Sequence, residues 1–205
     1  MSGNYVINIG RQLGSGGKKI GEKLAARLGI DFYDKELINL ASEESGLCKE
    51  FFEKADEKAS QGIIGGLFGM RFPFISEGAM PCNNCLSNDA LFKVQSDVIR
   101  HLAAEKSCVF VGRCADYILE DIPNHLNVYV YAPDEARLKN CVENLQMDPQ
   151  TAKKMMRDVD AARNRYHKAY IPGWQSVFDH KDLMIDSSRF GIDGTAKILA
   201  DIVKN

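Results

Sequence analysis

The chain has 205 residues, 45% of them hydrophobic and 26% charged, with a formal charge of -2. That length and mix predict a single globular domain over residues 1–205 with a sizeable core, and the balanced charge argues against nucleic acid as a partner. No run approaches the ~20 consecutive apolar residues of a membrane span, and the opening MSGNYVINIG lacks the features of a secretory signal, so a cytoplasmic protein without a membrane partner is expected.

The first predicted strand, Tyr5–Ile9, leads to Gly14-Ser15-Gly16-Gly17 and then to an amphipathic helix. Ile20, Leu24 and Leu28 recur at i, i+4 and i+8 of that helix, while Lys19, Glu22, Lys23 and Arg27 take its other face. Strand, glycine turn and helix is the order in which α/β proteins build a phosphate site. Glycines let backbone N–H groups approach an anion, and the helix N-terminus adds partial positive charge. Gly14, Ser15, Gly16, Gly17, Lys18 and Lys19 are therefore candidate phosphate-binding residues. The consensus G-x-x-x-x-G-K-[ST] is not met, and an ordinary tight connection would give the same pattern.

A short strand, Asp31–Tyr33, follows, and then the periodicity fades from about Glu43 to Asn88. This insert, 43–88, is rich in Gly and Phe (Gly62, Gly65, Gly66, Phe68, Gly69, Phe72, Phe74) and far longer than the usual ~4–6-residue connection. It reads equally as a substrate-covering loop or as an oligomer contact, which would make a homodimer. Its one C-x-x-C pair, Cys82 and Cys85, is half a zinc site. It reads as two incidental thiols, with zinc shared across a dimer or redox chemistry as alternatives. Cys48, Cys108, Cys114 and Cys141 lie far apart and read as thiols, Cys108 as a buried one.

The next predicted helix spans Asp89–Lys106 with Leu91, Val94, Val98 and Leu102 inward, and strands follow at Ser107–Val111 and Asn127–Tyr131. Asp134 is expected to N-cap a helix whose buried side is Leu138, Cys141, Val142 and Leu145. A strand at Leu183–Ile185 precedes a final helix carrying Ile198, Leu199, Ile202 and Val203. Strands that are apolar throughout, alternating with helices, predict a doubly wound parallel sheet covered on both faces.

Arg113 follows a strand at the edge where open α/β sheets bind ligands, so it reads as a phosphate contact or as a salt bridge to Asp116 or Glu120. Arg157, Arg163 and Arg165 lie in the charged helical stretch MMRDVDAARNRYHKAY. Residues two apart do not share a helix face, so Arg163 and Arg165 meet one ligand only if the helix ends or lies across it. His101, His125, His167 and His180 show no ligand spacing and read as surface or structural residues.

Four segments together resemble the cytidylate kinase-like family of P-loop nucleoside-monophosphate kinases, relatives of bacterial CMP kinase: INIGRQLGSGGKKIGEKLAARLG at the start, FYDKELI at Phe32–Ile38, VFVGRCADYIL at Val109–Leu119, and DAARNR at Asp160–Arg165 with LMIDSS at Leu183–Ser188. The resemblance implies a P-loop NTPase fold, a five-stranded parallel sheet between helices, with an inserted acceptor-binding and lid region. It makes the first segment the ATP-phosphate loop, sets Asp34 near the acceptor, and makes 151–175 a lid carrying Arg163 and Arg165. There are departures. Aligned without gaps, Arg11 stands at the first glycine of the loop, Gly17 at its lysine, Lys19 at its Mg²⁺-binding Ser/Thr, and Val111 at the acid before Gly112-Arg113.

The expected activity is ATP- and Mg²⁺-dependent phosphorylation of a nucleoside monophosphate, CMP or dCMP, with Lys18, Arg113, Arg163 and Arg165 as catalytic cations. Asp34, Arg113 and Asp116 are the expected acceptor-binding residues, and no metal ligand is assigned. The alternatives are a nucleotide- or phosphate-binding protein with little phosphotransfer, which the missing hydroxyl and acid favour, and a kinase acting on another small molecule.

Overall fold

The computed structural model describes residues 4–44 and 88–204. The insert at 43–88, with its aromatic residues and Cys48, Cys82 and Cys85, therefore lies, apart from its ends, outside the described residues.

Five strands, β1 (Val6–Arg11), β2 (Asp31–Tyr33), β3 (Cys108–Val111), β4 (His125–Tyr131) and β5 (Leu183–Asp186), form one sheet in the order β2-β3-β1-β4-β5. Every neighbouring pair is parallel. β1 is central and extends two residues beyond the expected Ile9, because Gly10 and Arg11 stay in register with Tyr129 and Val130 of β4.

Successive strand residues point to opposite faces, and two cores result. Ile7, Ile9, Val109, Val111, Val128 and Val130 meet Ile20 and Leu24 of α1 (Gly17–Leu28) and Leu199 and Val203 of α7 (Ser187–Lys204). On the other face Val6, Cys108 and Phe110 meet Ile38 of α2 (Lys35–Glu44), Ile99 of α3 (Asn88–Glu105) and Ile118 of α4 (Ala115–Ile118). Burying both faces is what makes these strands apolar throughout, as the sequence predicted. No helix among the described residues is long and apolar enough to cross a membrane.

Two helices complete the C-terminal edge of the sheet: α5 (Asp134–Leu145) and α6 (Pro149–Tyr170). The start of α6 follows its sequence, since Asp148 accepts from the amides of Gln150 and Thr151 and Pro149 occupies the first turn. The start of α5 differs from expectation. Pro133 holds the cap position and Asp134 is the first helical residue, with its carboxylate on Arg137 Nη1 at 3.1 Å instead of on backbone amides. Leu145, expected inside, is 46% exposed at the helix end; the contact face of α5 is set by Leu138, Cys141 and Val142 against Ala152 and Met156.

Candidate active site at the C-terminal edge of the sheet

The turn after β1 is held by its carbonyls. The Gln12 carbonyl accepts from Ser15 Oγ at 2.9 Å, Leu13 from Arg137 Nε at 2.8 Å, Gly14 from Asn140 Nδ2 at 2.9 Å, and Ser15 from Ser187 Oγ at 2.7 Å. With these oxygens bound to protein, the amides of Gly14, Gly16, Gly17, Lys18 and Lys19 have no protein acceptor among the described residues. The first amides of a helix have no intrahelical partner, and together with the loop they make a concave set of donors suited to a phosphate. The Ser15 amide differs: it faces the Gln12 carbonyl at 3.4 Å. Gly14 is required by geometry. Its φ is +82° and a Cβ would lie 2.6 Å from the Arg137 carbonyl oxygen.

The two lysines of the turn are engaged with protein groups. Lys18 Nζ lies 2.5 Å from Asp34 and 3.6 Å from Glu36, and Lys19 Nζ donates to Asn144 at 3.0 Å. Asp34 is buried and also accepts from the Leu37 amide at 3.0 Å, which caps α2. Burial works to raise the Asp34 carboxyl, but Lys18 and the Leu37 amide outweigh it and hold it below its ordinary value.

Arginines occupy the other side of the site. Gly112, Arg113 and Cys114, directly after β3, all have positive φ (84°, 59° and 55°). Two non-glycine residues in succession there cost roughly 1–2 kcal/mol each, a strain that marks a position held by its surroundings. Arg113 lies over the Tyr166 ring at 5.5 Å, and its buried Nε has no hydrogen-bond partner. Arg163 donates from Nη1 to the Arg11 carbonyl at 2.9 Å and lies 3.3 Å from Asp160. Burial pulls the Arg163 guanidinium down despite Asp160. Because α6 is unbroken across these residues, Arg165 faces solvent, as does Arg157, and neither joins Arg163. The structure thus brings Arg113 and Arg163 to one side of the site and leaves Arg165 outside it.

Between β1, the turn after β3, and α6 lies a cavity of about 250 Å³, lined among others by Asn8, Arg11, Asp116, Arg163, His167 and Lys181. Asp116 is buried in an ion pair with Lys181, whose Nζ also donates to the Asp179 carbonyl at 3.0 Å. His167 is pulled below its ordinary value by burial, and its Nδ1 sits 2.8 Å from the Arg163 carbonyl, so that nitrogen carries the proton. Sequence reasoning set His167 aside as structural and missed Lys181; no spacing rule marks either. It also missed Arg137, a buried arginine that pairs with Asp160, whose Oδ1 accepts from the Leu13 amide at 2.8 Å. Arg137, Asp160 and Arg163 thus bind α5 and α6 down onto the turn.

ATP phosphates fit the donors of the turn. A protein-held Mg²⁺ does not: Ser15 is buried with its hydroxyl on the Gln12 carbonyl, Asp34 is paired with Lys18, and Val111 stands where the resemblance expects an acid. No cluster of three or more His, Cys, Asp or Glu able to hold a metal occurs among the described residues.

Solved structures share this architecture. The fold matches that of an uncharacterized protein from Eubacterium ventriosum with a TM-score of 0.72 at 24% identity, covering 98% of this chain and 99% of that one. Shikimate kinase from Bacteroides thetaiotaomicron matches with a TM-score of 0.54 at 11% identity, over 98% of this chain and 99% of the other. Shikimate kinase from Acinetobacter baumannii, in complex with shikimate, matches with a TM-score of 0.50 at 16% identity, over 98% and 94%. These likenesses are of fold. No curated protein matches the sequence. The sequence profile of the cytidylate kinase-like family matches residues 6–189, nearly the whole chain. With a phosphate-type turn after the central strand and arginines gathered at the same sheet edge, the chain belongs to the cytidylate kinase-like family.

Proposed function

We propose that this chain transfers the γ-phosphoryl group of ATP to a compact small molecule held in the cavity beneath α6. The observation that carries this reading is adjacency. The cavity is lined by Gly10, Arg11 and Gln12, the residues that lead into the turn whose amides await an anion. Family membership supports a P-loop kinase, and the shared fold includes kinases of shikimate, a molecule without a base. At about 250 Å³ the cavity is smaller than the ~300–1,000 Å³ of common ligand pockets. CMP or dCMP, the acceptor expected from the resemblance, is the second reading. It draws on the family match and is the larger guest.

In the proposed reaction the donor phosphates lie on the amides of Gly14 and Gly16–Lys19, and Arg113 and Arg163 meet the transferring group from the other side. Mg²⁺ arriving with ATP would supply charge neutralisation to the phosphates, and no described side chain is assigned to hold it. Asp34 orders α2 beside the turn and Asp116 holds Lys181 at the cavity wall. A hydroxyl acceptor must also lose a proton as its oxygen bonds phosphorus and ADP departs. His167 is suited to take it: with Nδ1–H given to the Arg163 carbonyl, the neutral ring keeps Nε2 as an acceptor.

ADP release from ATP and Mg²⁺ should be measured with a panel of hydroxy acids, polyols and nucleoside monophosphates. We expect turnover with a hydroxyl acceptor to exceed turnover with CMP. CMP as the best substrate would restore the second reading. ATP binding without turnover on any acceptor would favour a binding protein on the kinase fold.

A further inference from the structure

The loop of this chain departs from the kinase consensus at Arg11, Gly17 and Lys19, and the structure joins the first two. A Cβ on Gly17, the position of the consensus lysine, would lie 2.5 Å from Cβ and 3.0 Å from Cγ of Arg11. A Cβ on Gly112 would fall onto the Arg11 guanidinium, at Nη1. The Arg11 side chain therefore leaves the end of β1, crosses the helix start at Gly17, and ends beside Gly112 after β3. The space needed by the first carbons of a lysine at 17 is already filled by the arginine stem from 11. The consensus has the reverse, glycine first and lysine seventh.

The guanidinium at the end of that path has no carboxylate or hydrogen-bond partner among the described residues, although it lines the cavity. Its neighbours are cations. Burial, then Arg163 and Arg113, push Arg11 down to about 9, with Glu36 and Asp34 opposing. Lys35 adds charge nearby and is itself pulled down by burial and by Arg113 and Arg11. Like charges gathered in a partly buried site are held together at a cost that a polyanion removes. Lys18 is in the opposite condition, with Asp34 and Glu36 already balancing its charge.

We propose that Arg11 is the phosphate-neutralising cation of this loop, in place of the P-loop lysine, and that it meets the transferred phosphate together with Arg113 and Arg163. The assignment rests on the kinase reading above. A guanidinium at this position supplies a planar fork able to bind two phosphate oxygens at once, which an ammonium does not. Arg11 and Gly17 form one steric unit, so neither changes alone without loss.

The single tryptophan, Trp174, lines the cavity and reports binding by its emission. Titrations with ATP and with inorganic triphosphate are compared for the wild type, Arg11→Ala, Arg11→Met, Gly17→Lys and the double variant Arg11→Gly/Gly17→Lys, with folding checked by circular dichroism. Arg11→Ala and Arg11→Met should each weaken triphosphate binding ~10-fold or more, the loss expected for a charge-assisted hydrogen bond. Arg11→Met keeps an apolar stem, so its loss separates charge from packing. Gly17→Lys should weaken binding too, whereas the double variant, with consensus order restored, should bind within about 3-fold of wild type through the same charge-assisted contact. Arg11→Ala and Arg11→Met titrating like the wild type, or a double variant no better than Arg11→Ala, would overturn the assignment while leaving the kinase reading intact. A wild type that binds neither ATP nor triphosphate would overturn both.

Discussion

The turn after β1 and the arginine cluster face one another, yet they prepare for an anion in different ways. In the turn, four successive carbonyls are bonded to side chains, three of them from other elements, so its contribution is a set of oriented backbone amides, and its lysines are occupied at the surface. Across from it, Arg11, Arg113 and Arg163 crowd together, with one arginine on the backbone of another. Donors on one side are organised and weakly charged; on the other they are strongly charged and mutually repelling. The charge left unpaired for an anion thus comes from three separate elements instead of the helix start, which makes charge neutralisation depend on the tertiary fold.

Replacing Arg163 by Ala should lower kcat about 10²–10³-fold with KM little changed, as for loss of a group that contacts charge formed in the transition state. Arg165→Ala, two residues along on the exposed side, is the control and should stay within about 2-fold, the range of ordinary surface changes. Equal losses in the two variants would show that α6 rotates or unwinds to bring both to the phosphate.

His167→Gln tests what the cavity accepts. With a hydroxyl acceptor, loss of the proton-accepting nitrogen should cost roughly 10²-fold in kcat. Burial holds the imidazole below its ordinary value, so wild-type kcat/KM should fall only once pH drops below that ordinary ~6.5, and the variant should lack this acid limb. An unchanged rate and profile would point to an acceptor phosphate, already anionic.

Gly14→Ala sharpens the backbone side. A Cβ there meets the Arg137 carbonyl and the residue must keep φ near +82°, so urea unfolding should show a loss of about 1–3 kcal/mol. A variant as stable as wild type would mean that the turn relaxes easily and is not the rigid half of the site.

The smallest effect concerns Lys18. Asp34 has its folded value below its unfolded one, so its contribution is present above the ordinary carboxylate value and is lost as pH falls through the folded value. Removing the partner with Lys18→Ala should open a stability gap from wild type that is largest near neutrality and closes below about pH 4. Urea midpoints across that range would show it, and a gap independent of pH would separate Lys18 from the ionisation of Asp34.

Much of the frame was legible because it is written locally. The apolar runs at Tyr5–Ile9, Asp31–Tyr33 and Ser107–Val111, and the inward stripe Ile20, Leu24 and Leu28, depend on neighbours within two turns or a few strand residues, and the structure has them as strands and helix. The same locality misled at α5, where a carboxylate beside a helix start looked like a cap. Arg137, three residues on, is buried among Leu13 and Asp160 and claims Asp134 as part of its pairing.

The alternation of strands and helices, the glycine turn that opens α1 and the arginines after β3 and in the later helix are all readable from the chain, since hydrophobic period and glycine placement act over short spans. Packing of the sheet and helices sets the strand order β2-β3-β1-β4-β5, the choice of Arg163 over Arg165, the pairing of Lys18 with Asp34 and of Asp116 with Lys181, and the course of Arg11 across Gly17 to Gly112. Most of these join residues far apart in the chain, and whether a charge is paired or left for a ligand depends on which partners the packed sheet and helices bring within a few ångströms of it.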